Sequence, residues 1–504
     1  MQALQYFSSS DTVPQLKEKA IYSGSLMIIT RFISTFIQFI STIILARLLS
    51  PNDFGLVAMV TVFSLLLFNV GFNGFTEAII QAKQINHNQV STLFWIGLAI
   101  SFALAIIFAV SSPLLAIFYK EKRVISISLV MSIGFIFSAL QTEHIALIMR
   151  KLEFHKIMVN QLSSGLISSI LAIAMALRGY GYWAIVARQL SAAILTTIIA
   201  WVQCPWRPGP PKKKSGTLQM LKFAANVFGT FAMNYFARNA DKMIVGRHCG
   251  SIPLGNYDRA YRLFVLPVSQ LIDPLSSVAL STLSKLRDKP AKFREYYLKA
   301  ITILGLVGLI LSSILSVAGR EIIQLLLGRK WTEAGIIFTA FGPSVSIILL
   351  YQTINWLFMS QGLSGLLFKW TISTSIFSIL SFLIGVRFGP IGVALAYGIS
   401  LYILIIPGFY LASIHTNIKV KDILQTLWKY FISALISVLV ALMATYLIQQ
   451  RFSKLGILFV LIMKIFFVTS TYYLSLLILY RSNKPFYYLV DIYKTVRKAN
   501  QESK

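Results

Sequence analysis

The stretch ARLLSPNDFG at residues 46–55 returns 200 positions later as GRHCGSIPLG at residues 246–255, so that Ala46, Arg47, Pro51, Phe54 and Gly55 line up without a gap with Gly246, Arg247, Ser251, Leu254 and Gly255. Each copy sits where one long apolar segment ends and another begins. A second pair, RGYGYWAIVARQLS from Arg178 and RFGPIGVALAYGIS from Arg387, follows in the same order at nearly the same offset. Chance likeness between apolar segments explains one such match more readily than two in order, and the chain reads as a duplication. Membrane transporters are commonly built from repeated halves with the substrate held between them.

Of 504 residues, 56% are hydrophobic and only 12% charged, a balance that excludes an ordinary soluble domain. Apolar runs of about 20 residues or more, enough to cross a bilayer, follow one another between residues 21 and 480, among them runs near 91–118, 218–247 and 332–360. The expected fold is all-α: a polytopic membrane protein of about fourteen transmembrane helices. The runs are continuous, whereas barrel strands alternate lipid-facing and lumen-facing residues. The first run is of full span length with no short apolar region and cleavage site before it, so no cleaved signal peptide is expected.

The formal charge of +29 would point to nucleic acid in a soluble chain. Here the placement of the cations decides its meaning. With the N-terminus inside, roughly twice as many Lys and Arg fall on the cytoplasmic side as on the other, which predicts both termini in the cytoplasm and no nucleic-acid partner. Cys204 and Cys249 belong to opposite ends of the spans, beyond disulfide reach, and are expected as free thiols.

The run CPWRPGPPKKKSG from Cys204 cannot continue a helix and reads as a cytoplasmic linker. The predicted layout is a six-helix lobe over 1–203, the linker over 204–217, a second, pseudo-symmetric six-helix lobe over 218–420, and two additional C-terminal helices with a basic cytoplasmic tail over 421–504. The basic, aromatic segment 283–300 is expected either along the inner membrane surface, near anionic lipid, or as a solvated loop. No gap between spans would hold a folded soluble domain, no phosphate-binding, zinc-protease or serine-hydrolase motif is in a suitable context, and His87, His144, His155, His248 and His415 are scattered. No enzyme, cofactor or metal site is expected.

Some cations lie inside the spans. Arg31 stands about ten residues into the first, roughly 15 Å deep. Arg238 and Lys242, at i and i+4, share one helical face, and Arg259 and Arg262, at i and i+3, share another. A charge at a helix centre costs about 2.5–3.5 kcal/mol, so these five must meet water, counter-charge or ligand. Asp241, Asp258 and Asp273 can offset three of them, leaving two readings open: a cationic cavity for an anionic substrate, or salt bridges that hold helices together. Arg188 and Lys464 read as structural or snorkelling. Glu143 beside His144, together with Asp241, Asp258 and Asp273, are candidates for ion coupling, and Pro267, Gly342, Pro343 and Pro274 mark places where helices could bend.

The stretches ILARLLSPNDFGLVAM from Ile44, AIIQAKQINHNQVSTLFW from Ala78, MRKLEFHK from Met149, GNYDRAYRLFVLPVSQLIDP from Gly255 and LLGRKWTEA from Leu326 resemble the polysaccharide transporter branch of the multidrug/oligosaccharidyl-lipid/polysaccharide exporter superfamily, the Wzx-type flippases of the colanic acid exporter kind. The resemblance implies two lobes around a central cavity that moves undecaprenyl-pyrophosphate-linked oligosaccharide from the inner to the outer leaflet of a bacterial cytoplasmic membrane by alternating access. It further implies membrane lipids, a polysaccharide polymerase and chain-length proteins as partners, with Arg31, Arg238, Lys242, Arg259 and Arg262 facing the pyrophosphate or acidic sugars. Asn69 departs from relatives that carry an aspartate there. The competing functions are an ion-coupled multidrug antiporter of the same superfamily, which would favour acidic rather than basic cavity residues, and a membrane-bound polymerase or ligase, which would carry a large outer loop.

Overall fold

A computed structural model describes residues 13–82, 84–212, 217–414, 416–451 and 456–480. Lys83, Lys213, Lys214, His415 and the basic tail fall outside the described residues. Among those described the chain is helical with no strand, and it divides into two compact units, Met1–Gly255 and Asn256–Lys504. The first holds α1 (Val13–Leu48), α2 (Pro51–Gln81), α3 (His87–Val110), α4 (Ser112–Tyr119), α5 (Arg123–Arg150), α6 (Phe154–Leu177), α7 (Tyr182–Gln203) and α8 (Leu218–Cys249). The boundary between units falls inside α9 (Ser251–Lys285), and the second unit continues with α10 (Pro290–Leu327), α11 (Thr332–Phe341), α12 (Ser344–Ser360), α13 (Ser364–Gly385), α14 (Gly389–Ser413), α15 (Val420–Arg451) and α16 (Ile457–Tyr480).

The two copies of the sequence motif are two helix breaks. Between α1 and α2, Ser50 caps the new helix: its hydroxyl accepts from the Asp53 N–H at 3.3 Å, its own N–H donates to Asp53 Oδ2 at 2.9 Å, and Pro51 occupies the first turn. Between α8 and α9 a single residue, Gly250 at φ +89°, makes the break. The copies then meet. A Cβ on Gly55 would overlap the carbonyl oxygen of Ser251, and a Cβ on Gly255 would overlap that of Pro51. The relation is reciprocal, as in contacts about a two-fold axis. Ser251 Oγ donates to Asn52 Oδ1 at 2.6 Å beside the crossing.

In the first unit α2 and α5 run parallel with a steady offset: Ser138 Oγ reaches Phe68 O at 3.1 Å, and Arg150 Nη1 donates to the carbonyls of Ile79, Ile80 and Ala82 at 2.8, 3.1 and 2.6 Å. Arg150 thus caps the C-terminus of α2, where orphan carbonyls and the helix dipole favour a cation. Replacing it with methionine should lower stability by about 2 kcal/mol, read as a lower thermal midpoint of the detergent-solubilised protein, with Arg150→Lys recovering part of the loss. The run expected near 91–118 is two helices, because Pro113 in the first turn of α4 ends α3. The stretch after Gln203 leaves the helix as its prolines require, yet it is no loose tether: Cys204 and Trp206 are fully buried in the apolar cluster with Phe94, Ile145 and Ile157.

In the second unit α10 is the axis. Leu306 and Leu309 pack with Tyr430, Ala434, Tyr472 and Leu476, while Val317 packs with Ala441 and Val468. These pairings make α15 parallel and α16 antiparallel to α10, and Tyr472 Oη donates to Leu306 O at 3.1 Å. Lys464 is structural: its ammonium sits 2.7 Å from Glu321 Oε1 and 2.9 Å from Val317 O. The bend comes at Gly342 and Pro343, where α11 and α12 turn by 48°, while α9 runs through Pro267 and Pro274 as one helix. Both carbonyls at this break find donors, Ser312 Oγ to Gly342 O at 2.8 Å and Tyr402 Oη to Pro343 O at 2.9 Å, which is what irregular backbone at membrane depth requires.

Segment 283–300 comprises the end of α9, a short turn and the first turns of α10. Phe293 and Tyr297, one turn apart, are buried, Tyr297 Oη lies 2.9 Å from Thr353 Oγ1, and Arg294 holds Asp422 at 3.0 Å. Among the described residues eleven helical segments are long and apolar enough to cross a membrane, twelve with the bent α11–α12 pair. The expected number of about fourteen exceeds this for two physical reasons. α8, which carries Lys222, Arg238, Asp241 and Lys242, is not among these segments, and the 50 residues from Ser364 to Ser413 form one apolar run although α13 and α14 are separated by a 3-10 turn at Val386–Phe388.

Candidate functional site

Of the five cations expected to form one cavity, Arg31, Arg238 and Lys242 belong to the first unit and Arg259 and Arg262 to the second. Arg31 lies on the exposed face of α1 with Ile28, Ile29 and Phe32. Arg238 and Lys242 follow one another along α8 as their spacing requires, yet their surroundings differ. Arg238 is exposed; Lys242 retains 8% of its surface, and its ammonium donates to Asn239 Oδ1 at 3.3 Å. Asp241, next in sequence, is buried as well. An ammonium and a carboxylate withdrawn from water side by side are held at a cost that only partners or a ligand can offset.

In the second unit the structure gathers both arginines on one acid. Asp258 is 1% exposed; Arg259 Nη2 donates to its Oδ2 at 2.6 Å and Arg262 Nε to the same oxygen at 2.9 Å. The i to i+4 pair with Arg262 follows from helical spacing. The bond from Arg259, an immediate neighbour, does not. Two guanidiniums on one carboxylate leave a net positive charge, and the Arg262 side chain is 50% exposed. Nearby on the same helix, Asn256 Nδ2 donates to Glu333 Oε2 at 3.0 Å.

What fixes this charged face is a set of rings that did not enter the sequence reading. Tyr257, Tyr261 and Phe264, spaced four and three apart, form the opposite face of α9. Phe264 stacks on Phe341 at 4.8 Å, Tyr257 and Tyr261 tilt against the same ring at 5.4 and 5.7 Å, and Tyr397 closes the cluster edge-on to Phe341 at 6.0 Å. Tyr257, Phe264 and Phe341 are fully buried. With that face locked into the packing, Asp258, Arg259 and Arg262 are turned the other way. The signal was the aromatic spacing inside YDRAYRLF.

The acidic candidates separate equally clearly. Glu143 on α5 is 1% exposed, its Oε2 has no hydrogen-bond partner among the described residues, and its Oε1 faces Gly97 beside Phe75. His144 points elsewhere, stacked on Trp201 at 4.6 Å with Nε2 3.2 Å from Trp206 O. Asp273 is exposed. Among the described residues no cluster of three or more His, Cys, Asp or Glu could hold a metal ion. Both thiols are free, and burial pushes that of Cys204 above the usual thiol range.

A family described as polysaccharide biosynthesis protein matches residues 44–335. The teichuronic acid biosynthesis protein TuaB of Bacillus subtilis (strain 168) is 24% identical over 379 residues, 74% of this chain and 77% of that protein. The lipopolysaccharide biosynthesis protein WzxC of Escherichia coli (strain K12) is 22% identical over 389 residues, covering 76% and 78%. Among solved structures, the lipid II flippase MurJ in an inward closed conformation superposes with a TM-score of 0.70 over 92% of this chain and 99% of that one, at 17% identity. An inward-facing multidrug resistance MATE family transporter of the MOP superfamily does so at 0.58, over 76% and 95%, at 13% identity. These likenesses agree with the all-helical, multi-pass membrane fold, and the match across residues 44–335, more than half of the 504, places the chain in the polysaccharide biosynthesis protein family.

Proposed function

We propose that the chain is a flippase that carries undecaprenyl-pyrophosphate-linked oligosaccharide from the inner to the outer leaflet of a bacterial cytoplasmic membrane by alternating access, for surface polysaccharide synthesis. The observation that carries the reading is the net positive charge of the Asp258, Arg259 and Arg262 group on α9, in which the Arg262 side chain is half exposed. A half-exposed guanidinium held on a carboxylate suits a phosphate, which it can meet with paired hydrogen bonds. It opposes the cationic amphiphiles that a multidrug antiporter would carry. In the first unit Arg31, Arg238 and Lys242 are assigned as anion-binding residues by their charge.

Fourteen crossings follow if α8 spans the membrane with its charges turned to protein or substrate and α13 and α14 cross as a hairpin, giving the six, six and two layout with both termini in the cytoplasm. Coupling to an ion gradient falls to Glu143 first, because Asp258 is bound to two guanidiniums whereas Glu143 has an oxygen with no hydrogen-bond partner among the described residues. A polymerase and chain-length proteins would receive the product.

The test is transfer of a fluorescent undecaprenyl-pyrophosphate oligosaccharide across proteoliposome leaflets. Lys242→Met and Arg262→Gln should each lower the rate at least tenfold, a loss of about 1.4 kcal/mol of transition-state stabilisation, and Glu143→Gln should abolish its response to a proton gradient, in variants that elute as folded protein. Transfer unaffected in all three, or transport of ethidium in place of the lipid, overturns the reading.

A further inference from the structure

We propose that residues 204–212 form a strap whose docking on the first unit requires a neutral His87, so that protonation of this one imidazole releases it. The proposal stands on local geometry and is independent of the transported substrate.

The strap is stitched to α3 at four points. The Trp206 indole N–H donates to His87 Nδ1 at 3.1 Å, the Gly209 N–H donates to Ser91 Oγ at 3.0 Å, the Trp95 indole N–H donates to Gly209 O at 2.8 Å, and the Lys212 N–H donates to Thr92 Oγ1 at 3.2 Å. Trp206 is fully buried. An indole nitrogen can only donate, so Nδ1 of His87 must accept and the proton of the neutral ring sits on Nε2, 3.3 Å from Ser91 Oγ. The hydroxyl of Ser91 therefore receives both the ring N–H and the Gly209 N–H. An imidazolium has no acceptor. A proton on Nδ1 would face the indole N–H, remove the bond that seats the buried ring and turn two donors on each other.

The second histidine at the strap does not have this property. His144 Nε2 meets Trp206 O at 3.2 Å, where it must donate, and the neutral ring stacked on Trp201 does so already, so no acceptor role there is lost on protonation. Other titratable or charged groups at the strap include Lys212 on the strap itself, Arg207, which lies over Trp201 at 5.1 Å and donates to Trp206 O at 2.8 Å, Cys204, and the Glu153–Lys156 pair at 2.7 Å at the start of α6. Lys212, Arg207 and Lys156 are cations, and Glu153 pairs with Lys156. Release of the strap would free the chain from Cys204 onward and lengthen the connection leading to α8.

The test is hydrogen exchange of the full-length protein in nanodiscs, followed at peptides covering 204–212 at about pH 7.5 and about pH 5.5, on either side of the usual histidine range, and corrected for intrinsic exchange. The Gly209 and Lys212 amides should lose at least tenfold protection at the lower pH. His87→Gln, whose side-chain oxygen can accept from the indole without titrating, should stay protected at both. His87→Lys should expose the strap at both, while peptides of α5 and α6 keep their protection. Equal protection of the wild type at the two pH values, or release at low pH that persists in His87→Gln, overturns the proposal.

Discussion

Alanine at Gly55 or at Gly255 should cost more than any other single methyl added to this protein. At each position the new Cβ would overlap a backbone carbonyl, Ser251 O for the first and Pro51 O for the second, and the next nearest atoms are also backbone. No rotamer change relieves such a contact; α2 and the start of α9 must move apart. Overpacking usually costs about 1–3 kcal/mol where side chains can yield, and here the expected loss is at or above about 3 kcal/mol for each variant, enough to deplete monodisperse protein in detergent extracts. Gly165→Ala and Gly229→Ala provide the comparison, since nothing lies within 4 Å of either added methyl. Both sit inside helices, where alanine is favoured over glycine by about 1 kcal/mol, so those variants should match or exceed the wild-type thermal midpoint. If Gly55→Ala and Gly255→Ala melted with them, the close crossing would be wrong.

That crossing also explains why the duplication could be read at all. A glycine demanded by backbone contact leaves a mark at a fixed place, and the same demand acting on both copies left Gly55 and Gly255 200 residues apart. Helix ends were legible for a similar reason: Ser50, Pro51 and Asp53 spell an N-terminus locally, and Pro113 and Pro343 each enforce a break. Long-range packing leaves no such mark. The prolines after Cys204 correctly announced the end of α7, but nothing in their neighbourhood said that Trp206 would be buried or that His87, 119 residues earlier, would hold it. In segment 283–300 the cations stand out in sequence, whereas the burial of Phe293 and Tyr297 depends on partners far along the chain.

The candidate site was legible as a list of charges and not as a set of partners. Helical spacing gives the bond between Asp258 and Arg262 and is silent about the one from Arg259, because neighbours along a helix point about 100° apart and meet only when a long side chain folds back. It also cannot say that Arg238 is exposed while Lys242, one turn on, is buried. Lys464 shows the converse: a cation deep in an apolar run, it was read as structural or snorkelling, and Glu321 on another helix makes it the former.

Asp258→Asn should therefore be the most damaging polar substitution. The side chain keeps its shape and loses its charge, leaving two guanidiniums around a neutral amide that can accept from one of them but cannot offset both. Removing one partner of a buried ionic cluster costs about 3–5 kcal/mol, and the near-complete burial of Asp258 puts it at the upper end. The remedy identifies the cause. In Asp258→Asn/Arg259→Gln the more buried cation leaves with its counter-charge, and more than half of the lost stability should return, a coupling of about 2 kcal/mol in a double-mutant cycle. Arg262→Gln alone, at a half-exposed position, should cost about 1 kcal/mol or less. This ordering separates stability from transport: Arg262 is expendable for folding yet assigned to the substrate, so its variant can be assayed for flipping with the fold intact. Additive losses in the cycle would mean that Asp258 supports the helix by some contact other than the arginines, and the positive charge offered to a phosphate would then have to come from elsewhere on the chain.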